Sequence, residues 1–422
     1  MFNRSLTTSS SCSRSIENED HEDSCENSHL ESSLQCNNNS NDPLLSQSFK
    51  GYIKIDSSNK NWDLDAKQIK LFKKTKWIIT EKVHGANFCF RLSRRNDLSS
   101  TTSIILIECA KRKSLLKDSD QFFYFQKVKE KLQSHLETIF QLVESKFNDI
   151  HYVYVFGELF GGYYPDMPQL PGIEQPIQTG IWYTNDIEFY AFDIAFEKKL
   201  DQIQTFIDYE TCLSIFCQVG SKHQVGSNTT KLFLHAEPLF IGSYEECMEF
   251  QIKFESKIPK KLGMPSIKDY SNYAEGVVIK PLKELTISKK GKLERAIIKR
   301  KIQEFSEKKY EQAQKWTSNQ TELSSDHNSS IDNFEFIKYE TMSCVTMNRL
   351  NNAISKIGLI HKNDKTQMNQ LLNAFVQDVF DEVKESNMEM YEQIDASQLK
   401  ELNDLVTLEC KKTIYEYFKQ MK

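Results

Sequence analysis

Two strand-like patterns meet at one short turn. The apolar run Trp77-Ile78-Ile79 leads into Thr80-Glu81-Lys82-Val83-His84-Gly85-Ala86-Asn87, and beyond it Phe88, Phe90 and Leu92 alternate with Cys89 and Arg91. Alternation with a period of two marks a half-buried strand, so the stretch predicts a strand, a tight loop and a second strand. Lys82 then stands at the mouth of the loop, and Gly85 where a residue without a side chain lets backbone approach closely. A lysine so placed can be desolvated and crowded by other cations, which lowers its pKa from about 10.4 and frees a neutral amine to act as a nucleophile. A lysine three residues before a glycine recurs by chance in ordinary turns, so the stretch needs support from elsewhere.

The strand period returns along the chain. Residues 52–55 read as a short strand, and residues 104–107 as another that runs into the basic turn Lys111-Arg112-Lys113. Residues 151–156 form an alternating strand ending in Gly157-Glu158, and residues 187–194 another that contains Phe192-Asp193. Glu275 opens a strand that Pro281 ends, and strand periodicity puts Ile297, Lys299 and Lys301 on one face. One helix interrupts this run: Phe125, Val128, Leu132, Leu136, Ile139, Val143 and Phe147 recur at helical spacing, with Asp118 or Ser119 as candidate caps. Residues 200–272 mix short helical and loop signals. Residues 314–333 form a polar linker, and past it three helices are predicted from Val345-to-Ile357, Met368-to-Val383 and Leu399-to-Phe418 periodicities.

Composition narrows the partners. A chain of 422 residues suffices for two or three domains, and no apolar run reaches the roughly 18 residues of a membrane-spanning helix. The ten cysteines are scattered without zinc spacing and read as reduced thiols of an intracellular protein. The net charge is -5, of which residues 1–47 carry -6 and the rest +1. The tail over 1–47 is therefore expected to be disordered and acidic, and the remainder near neutral, so the placing of its basic residues decides what it binds. Residues 1–16 hold Arg4, Arg14, a Ser/Thr run and no acid, as an organelle transit peptide does; mitochondrial, cytoplasmic and nuclear locations all stay open.

Set in chain order, Glu81-Lys82-Val83-His84-Gly85-Ala86-Asn87, Ala110-Lys111-Arg112, Phe156-Gly157-Glu158, Phe192-Asp193-Ile194, Glu275-Gly276-Val277-Val278-Ile279-Lys280 and Lys299-Arg300-Lys301 form one constellation. It resembles the nucleotidyltransferase domain of ATP-dependent RNA ligases, in the group of bacteriophage RNA ligase 2 and the kinetoplastid RNA-editing ligases. DNA ligases and capping enzymes have an acid and an arginine where this chain has His84 and Asn87, and follow the last motif with a β-barrel. One departure is Ala86, where the family pattern has threonine.

The resemblance implies an α+β fold: an ATP-grasp-like ligase adenylation domain of antiparallel sheets and helices over 48–313, then a small all-α domain over 334–422. It implies that Lys82 attacks ATP and becomes lysyl-AMP, with Lys299 and Lys301 as catalytic cations on the phosphates. Glu81 would read the adenine amino edge, Glu158 hold the ribose, and Phe192 stack on the base, with Asn87 and Arg112 completing the ATP site. Glu275 would be the metal-side carboxylate for Mg²⁺, or Mn²⁺ in its place, a hard ion content with one carboxylate plus phosphate oxygens.

RNA with 5′-phosphate and 3′-OH ends is the implied partner, with His84, Lys111, Arg112 and Lys113 facing it and the run Lys289, Lys290, Lys292, Arg295 along its backbone. The carboxy-terminal helices would engage RNA or dock a protein partner, and no membrane is implied. A ligase for DNA or hybrid nicks and an inactive nucleic-acid-binding subunit are the alternatives; intact Lys82, Glu275, Lys299 and Lys301 speak against the second.

Overall fold

The computed structural model describes residues 49–60, 62–96, 103–222, 233–268, 271–307 and 333–420. The acidic tail with its transit-like start, and residues 314–332 of the expected linker, lie outside the described residues.

The first strand is β1 (Trp77–Lys82), preceded by α1 (Ala66–Lys74). It is followed by β2 (Ala86–Asn96), β3 (Ser103–Lys111), β4 (Ser114–Leu116), the long helix α2 (Phe125–Lys146), β5 (Ile150–Tyr163), β6 (Thr184–Lys198) and β7 (Thr205–Phe206). Helix α3 (Tyr209–Lys222), β8 (Pro238–Gly242), α4 (Tyr244–Glu249) and α5 (Ile258–Lys261) occupy the stretch that gave mixed signals. The remaining strands are β9 (Gly276–Pro281), β10 (Thr286–Lys289), β11 (Lys292–Arg295) and β12 (Ile298–Lys301). Helices α6 (Asn333–Ser343), α7 (Met347–Ile357), α8 (Lys365–Ser386), α9 (Met388–Tyr391) and α10 (Ala396–Gln420) end the described chain.

Two antiparallel sheets result, one of six strands in the order β4-β3-β2-β5-β6-β7 and one of four in the order β12-β9-β1-β8, with β10-β11 as a separate ribbon. This is an α+β architecture. Trp77 and Ile79 point to one face of the smaller sheet, where they pack with Val277, Ile279, Phe72 of α1 and Tyr244 of α4. The intervening residues Ile78, Thr80 and Lys82 therefore point the other way, as a period of two requires. On the larger sheet Phe88, Phe90 and Leu92 face α2, while Cys89 turns to a second cluster with Tyr52, Tyr154 and Phe156.

The start of α2 differs from the expectation. The helix begins at Phe125, with Tyr124 at its N-cap in the left-handed region and no side-chain cap. Asp118 instead meets Lys129 at 3.1 Å, and Asp120 accepts from Lys117 N at 2.9 Å in the preceding turn. The cause is the triplet Phe122, Phe123 and Phe125, all buried. Burying an aromatic side chain contributes about 1.5–3 kcal/mol, against about 1 kcal/mol for a cap, so the core sets where the helix starts.

Residues 52–55 also form no ladder, and Asp56 makes only an isolated bridge to Ile298. Their polar groups are used differently: Ile53 O accepts from Arg112 Nη2 at 3.1 Å, and Tyr52 donates its hydroxyl to Asp193 Oδ2 at 2.5 Å.

The terminal helices share one apolar core with α2 and the larger sheet, through Phe334, Ile337, Leu350, Leu371, Phe375 and Val379. Polar ties reinforce this: Asn348 Nδ2 donates to Glu304 O at 2.9 Å and Ser306 O at 2.8 Å, and Gln175 Nε2 to Ile360 O at 3.2 Å.

Candidate active site

The register of the smaller sheet assembles the centre. Gly276 of β9 lies opposite Lys82 of β1 on one side and Lys301 of β12 on the other, and Val278 lies between Thr80 and Lys299. Glu275, one residue ahead of Gly276, is thereby flanked by both lysines. Its Oε2 lies 2.7 Å from Lys82 Nζ and its Oε1 2.9 Å from Lys301 Nζ. His84 Nδ1 is 3.6 Å from Oε2. Burial would raise this carboxyl, but Lys301, Lys82 and His84 outweigh it and hold Glu275 well below the usual carboxylate range. Gly276 has φ +149°, and a Cβ there would stand 2.0 Å from Arg300 O, so only glycine lets β12 come this close.

The larger sheet supplies the facing wall. Asn87 of β2 pairs with Glu158 of β5, and Glu158 with Tyr190 of β6. The pairing then slips: Gly157 opposes Ala191 but Phe156 opposes Asp193, so Phe192 is the unopposed residue of a β-bulge. Its carbonyl accepts from Lys280 Nζ at 3.0 Å. Lys280 is 2% exposed and also meets Asp193 Oδ1 at 2.5 Å. Arg295 Nη1 reaches the other carboxylate oxygen at 3.1 Å, and its Nη2 pairs with Glu284 at 2.5 Å. The Phe192 ring, half-buried, sits edge-on to Tyr52 with centroids 5.1 Å apart.

Gly85 permits the two sheets to meet. A Cβ there would fall 2.0 Å from Leu159 O. Between the sheets is a cleft of about 460 Å³, lined by Glu81, Lys82, His84, Asn87, Glu158, Phe192, Glu275, Lys299 and Lys301. Lys111, Arg112 and Lys113 line it too, so every residue expected in the site borders one cavity, of a size usual for small-molecule sites.

Each has a definite setting. His84 is 8% exposed, its ring 5.2 Å from that of Phe305, and its Nε2 is buried without a partner. Asn87 Oδ1 is likewise buried without one. Lys111 Nζ lies 6.0 Å from the Phe122 ring. Burial raises Glu158 to about 7 against the pull of Lys82 and Arg112, and lowers Lys299 to about 8, with Lys301 and Lys82 adding to the effect. Burial also raises Glu81 to about 7, opposed by its bonds from Ser256 and Lys257.

The run of basic residues expected along RNA is divided. Arg295 is buried in its pairs with Asp193 and Glu284, and Lys289 meets Asp56 at 2.7 Å, so neither is offered to a phosphate backbone. Arg295 fails the expectation because a buried carboxylate is a stronger partner than solvent-screened phosphate.

Residues not foreseen complete the cleft. Glu307 meets Lys301 Nζ at 2.5 Å and lies 3.9 Å from Arg349 Nη2 of α7. Arg349, 2% exposed, meets Asp378 Oδ2 of α8 at 2.8 Å, and Asn352, Ser355, Lys356, Asp381 and Glu382 add to that wall. Among the described residues no group of three or more His, Cys, Asp or Glu side chains gathers as a metal cage. Glu275, with the open acceptor of Asn87 nearby in the same cleft, instead suits a hard ion that keeps its waters and takes most other ligands from a phosphate. No described helix is long and apolar enough to cross a membrane.

Comparison with known proteins identifies the family. A family model described as RNA ligase matches residues 75–301, and one described as T4 RNA ligase 2 C-terminal matches residues 336–412. The mitochondrial RNA-editing ligase 2 of Trypanosoma brucei brucei is 29% identical over 247 residues, 55% of this chain and 55% of that protein. The mitochondrial RNA-editing ligase 1 of the same organism is 23% identical over 259 residues, 57% of this chain and 52% of that protein. The chain thus spans about half the length of the curated relatives it matches. A solved structure of a Naegleria gruberi RNA ligase mutant with ATP and Mn is similar at 15% identity and a TM-score of 0.36, over 60% of this chain and 55% of that one.

Proposed function

The chain belongs to the RNA ligase family, and from that premise we propose that it joins RNA 3′-OH and 5′-phosphate ends at nicks in duplex RNA, using ATP. The observation that carries the reading is the Lys82 amine, 2.7 Å from Glu275 in a cleft that also holds Lys299, Lys301, Glu158 and Phe192. Lys82 Nζ attacks the α-phosphorus of ATP; an N–P bond forms, the bond to pyrophosphate breaks, and the amine gives up its proton. Lys299 and Lys301 stand where negative charge grows on the phosphates. Phe192, set proud of its strand by the bulge, offers a flat face to adenine, and Glu158 an acceptor for a ribose hydroxyl. Lys82 then passes AMP to an RNA 5′-phosphate, and a 3′-OH displaces AMP to close the strand. Glu275 would hold a divalent ion such as Mg²⁺, which when bound would supply charge neutralisation on the phosphates. Lys111, Arg112 and Lys113, on the lip of the cleft, contact the RNA backbone, with binding that weakens as salt rises.

Incubation with α-labelled ATP tests this. The whole chain is expected to carry a label that Lys82→Ala removes, and that Lys82→Arg does not restore because a guanidinium stays protonated. Label retained by the alanine variant would move the nucleophile elsewhere.

A further inference from the structure

Behind Glu81 stands a residue that the ligase reading does not use. Glu81, next to last in β1, is 5% exposed and is one of the residues that line the cleft. Ser256 Oγ lies 2.5 Å from its Oε1, and Lys257 N donates to Oε2 at 3.4 Å. Ser256 donates that short bond. Its oxygen also accepts the N–H of Ile258 at 3.3 Å, which holds the hydroxyl in place beside Glu81. The segment is pinned: Ser256 N donates to Asn272 O at 3.0 Å, and Asn272 exchanges bonds with the Trp182 backbone at 2.6 and 2.9 Å.

We propose that Ser256 is a positioning residue for base selection, holding Glu81 as an acceptor-only carboxylate so that the site takes a purine with an amino group at C6 and rejects one with an oxo group. The inference rests on the ligase reading, in which Glu81 meets the adenine edge. An ionised carboxylate accepts and cannot donate, so it pairs with an N–H₂ and leaves a C6 oxygen facing lone pairs. A protonated carboxyl can donate to that oxygen, and discrimination is lost. Unmatched buried polar groups are costly, which is why one hydrogen atom can decide a substrate.

Charge around Glu81 fits a group poised between the two forms. Lys257 and Lys261 favour the carboxylate, Lys261 being itself shared with Glu237 at 2.5 Å, while the buried hydroxyls of Tyr183 and Tyr190 also face it. Burial is the larger effect and leaves the carboxyl near 7, with the Ser256 bond pulling it down. The sign follows: selectivity for the amino purine is present above pH 7 and fades as pH falls through it. Without the serine hydroxyl the midpoint moves up.

The test compares ATP with inosine 5′-triphosphate, which shares ribose and triphosphate but has an oxo group at C6. Lysyl-nucleotide formation by the whole chain is measured as a kcat/KM ratio at about pH 6 and about pH 8.5, either side of the carboxyl's titration. In the unmodified protein the ATP:ITP ratio is expected to rise across that range. Ser256→Ala is expected to lower the ratio roughly tenfold at the higher pH, as for loss of a bond to a charged group, with Ser256→Thr restoring it. A ratio that ignores pH in the unmodified protein overturns the proposal, even where the alanine variant does not fold. An alanine variant with an unchanged ratio does so too. Labelling by neither nucleotide overturns the ligase reading itself, and this one with it.

Discussion

Glu275 holds two lysines with two oxygens, and this arrangement has to open before chemistry. Lys82 cannot attack while its amine is clasped at 2.7 Å by Glu275, and Lys301 is shared between Glu275 at 2.9 Å and Glu307 at 2.5 Å. In the proposed reaction, incoming phosphates would compete for Lys301 and loosen the clasp. Lys299 is lowered by burial to about 8, with Glu307 and Glu275 pulling it back up and Lys301 and Lys82 pushing it further down. Protonated below that value and neutral above it, Lys299 is expected to make kcat/KM for adenylation fall above about pH 8. Lys299→Gln should reduce the rate about 10²-fold and abolish that decline, in keeping with the loss of one charge from a phosphate site. A decline that persists in the glutamine variant would assign it to another group. Lys299 and Lys301 were legible from sequence because a period of two puts them on one face. Glu307 was not, since nothing in its spacing says which cation it answers.

Among the elements, the bulge in β6 does the most for the site. It leaves Phe192 without an opposite residue on β5, its ring among those that line the cleft and its carbonyl accepting from Lys280 at 3.0 Å. Lys280 in turn needs Asp193, and Asp193 needs Arg295. Removing one member of such a buried set typically costs about 3–5 kcal/mol, because a charge is left unmatched. Arg295→Ala is expected to lose about that much in urea unfolding at pH 7, and to weaken ATP binding through Phe192. A loss below about 1 kcal/mol, the worth of an exposed pair, would mean that solvent already screens the set. Burial alone would raise Asp193, but Arg295 and Lys280 bring it to about 2. Its contribution is therefore complete above the usual aspartate value and lost as pH falls toward 2. Sequence marked this element as a strand and Phe192 as a candidate, yet the bulge was invisible: periodicity does not register an added residue until the partner strand is known. The lysine within the apolar run of β9 was the available clue, because a charge on a buried strand implies a buried partner.

At the scale of the molecule, both sheets and the helical end meet at one cleft. The longer strands and three of the carboxy-terminal helices could be read from their periods, whereas 52–55 was expected as a strand and forms none, and β8, which pairs with β1, lay in a stretch of weak signals. Helix α7 brings Arg349 to Glu307, and the helices bury Phe122 and Phe123 in a common core. A chain ending near residue 313 would expose those rings and leave Glu307 without Arg349. It is expected to form lysyl-AMP on Lys82 more slowly, to melt several degrees lower, and to seal nicked RNA poorly, since a loss of a few kcal/mol moves Tm by that much in a chain of this size. Absence of any adenylate from that shortened chain would show that the helices help build the nucleotide site. The dual origin of the cleft also bears on selective inhibition. On the proposed reading, a compound confined to Lys82, Glu158 and Phe192 would meet only what adenosine requires, whereas one extended to Asn352, Ser355 and Lys356 would touch a wall contributed by α7, where two ligases sharing the same nucleotide chemistry can differ.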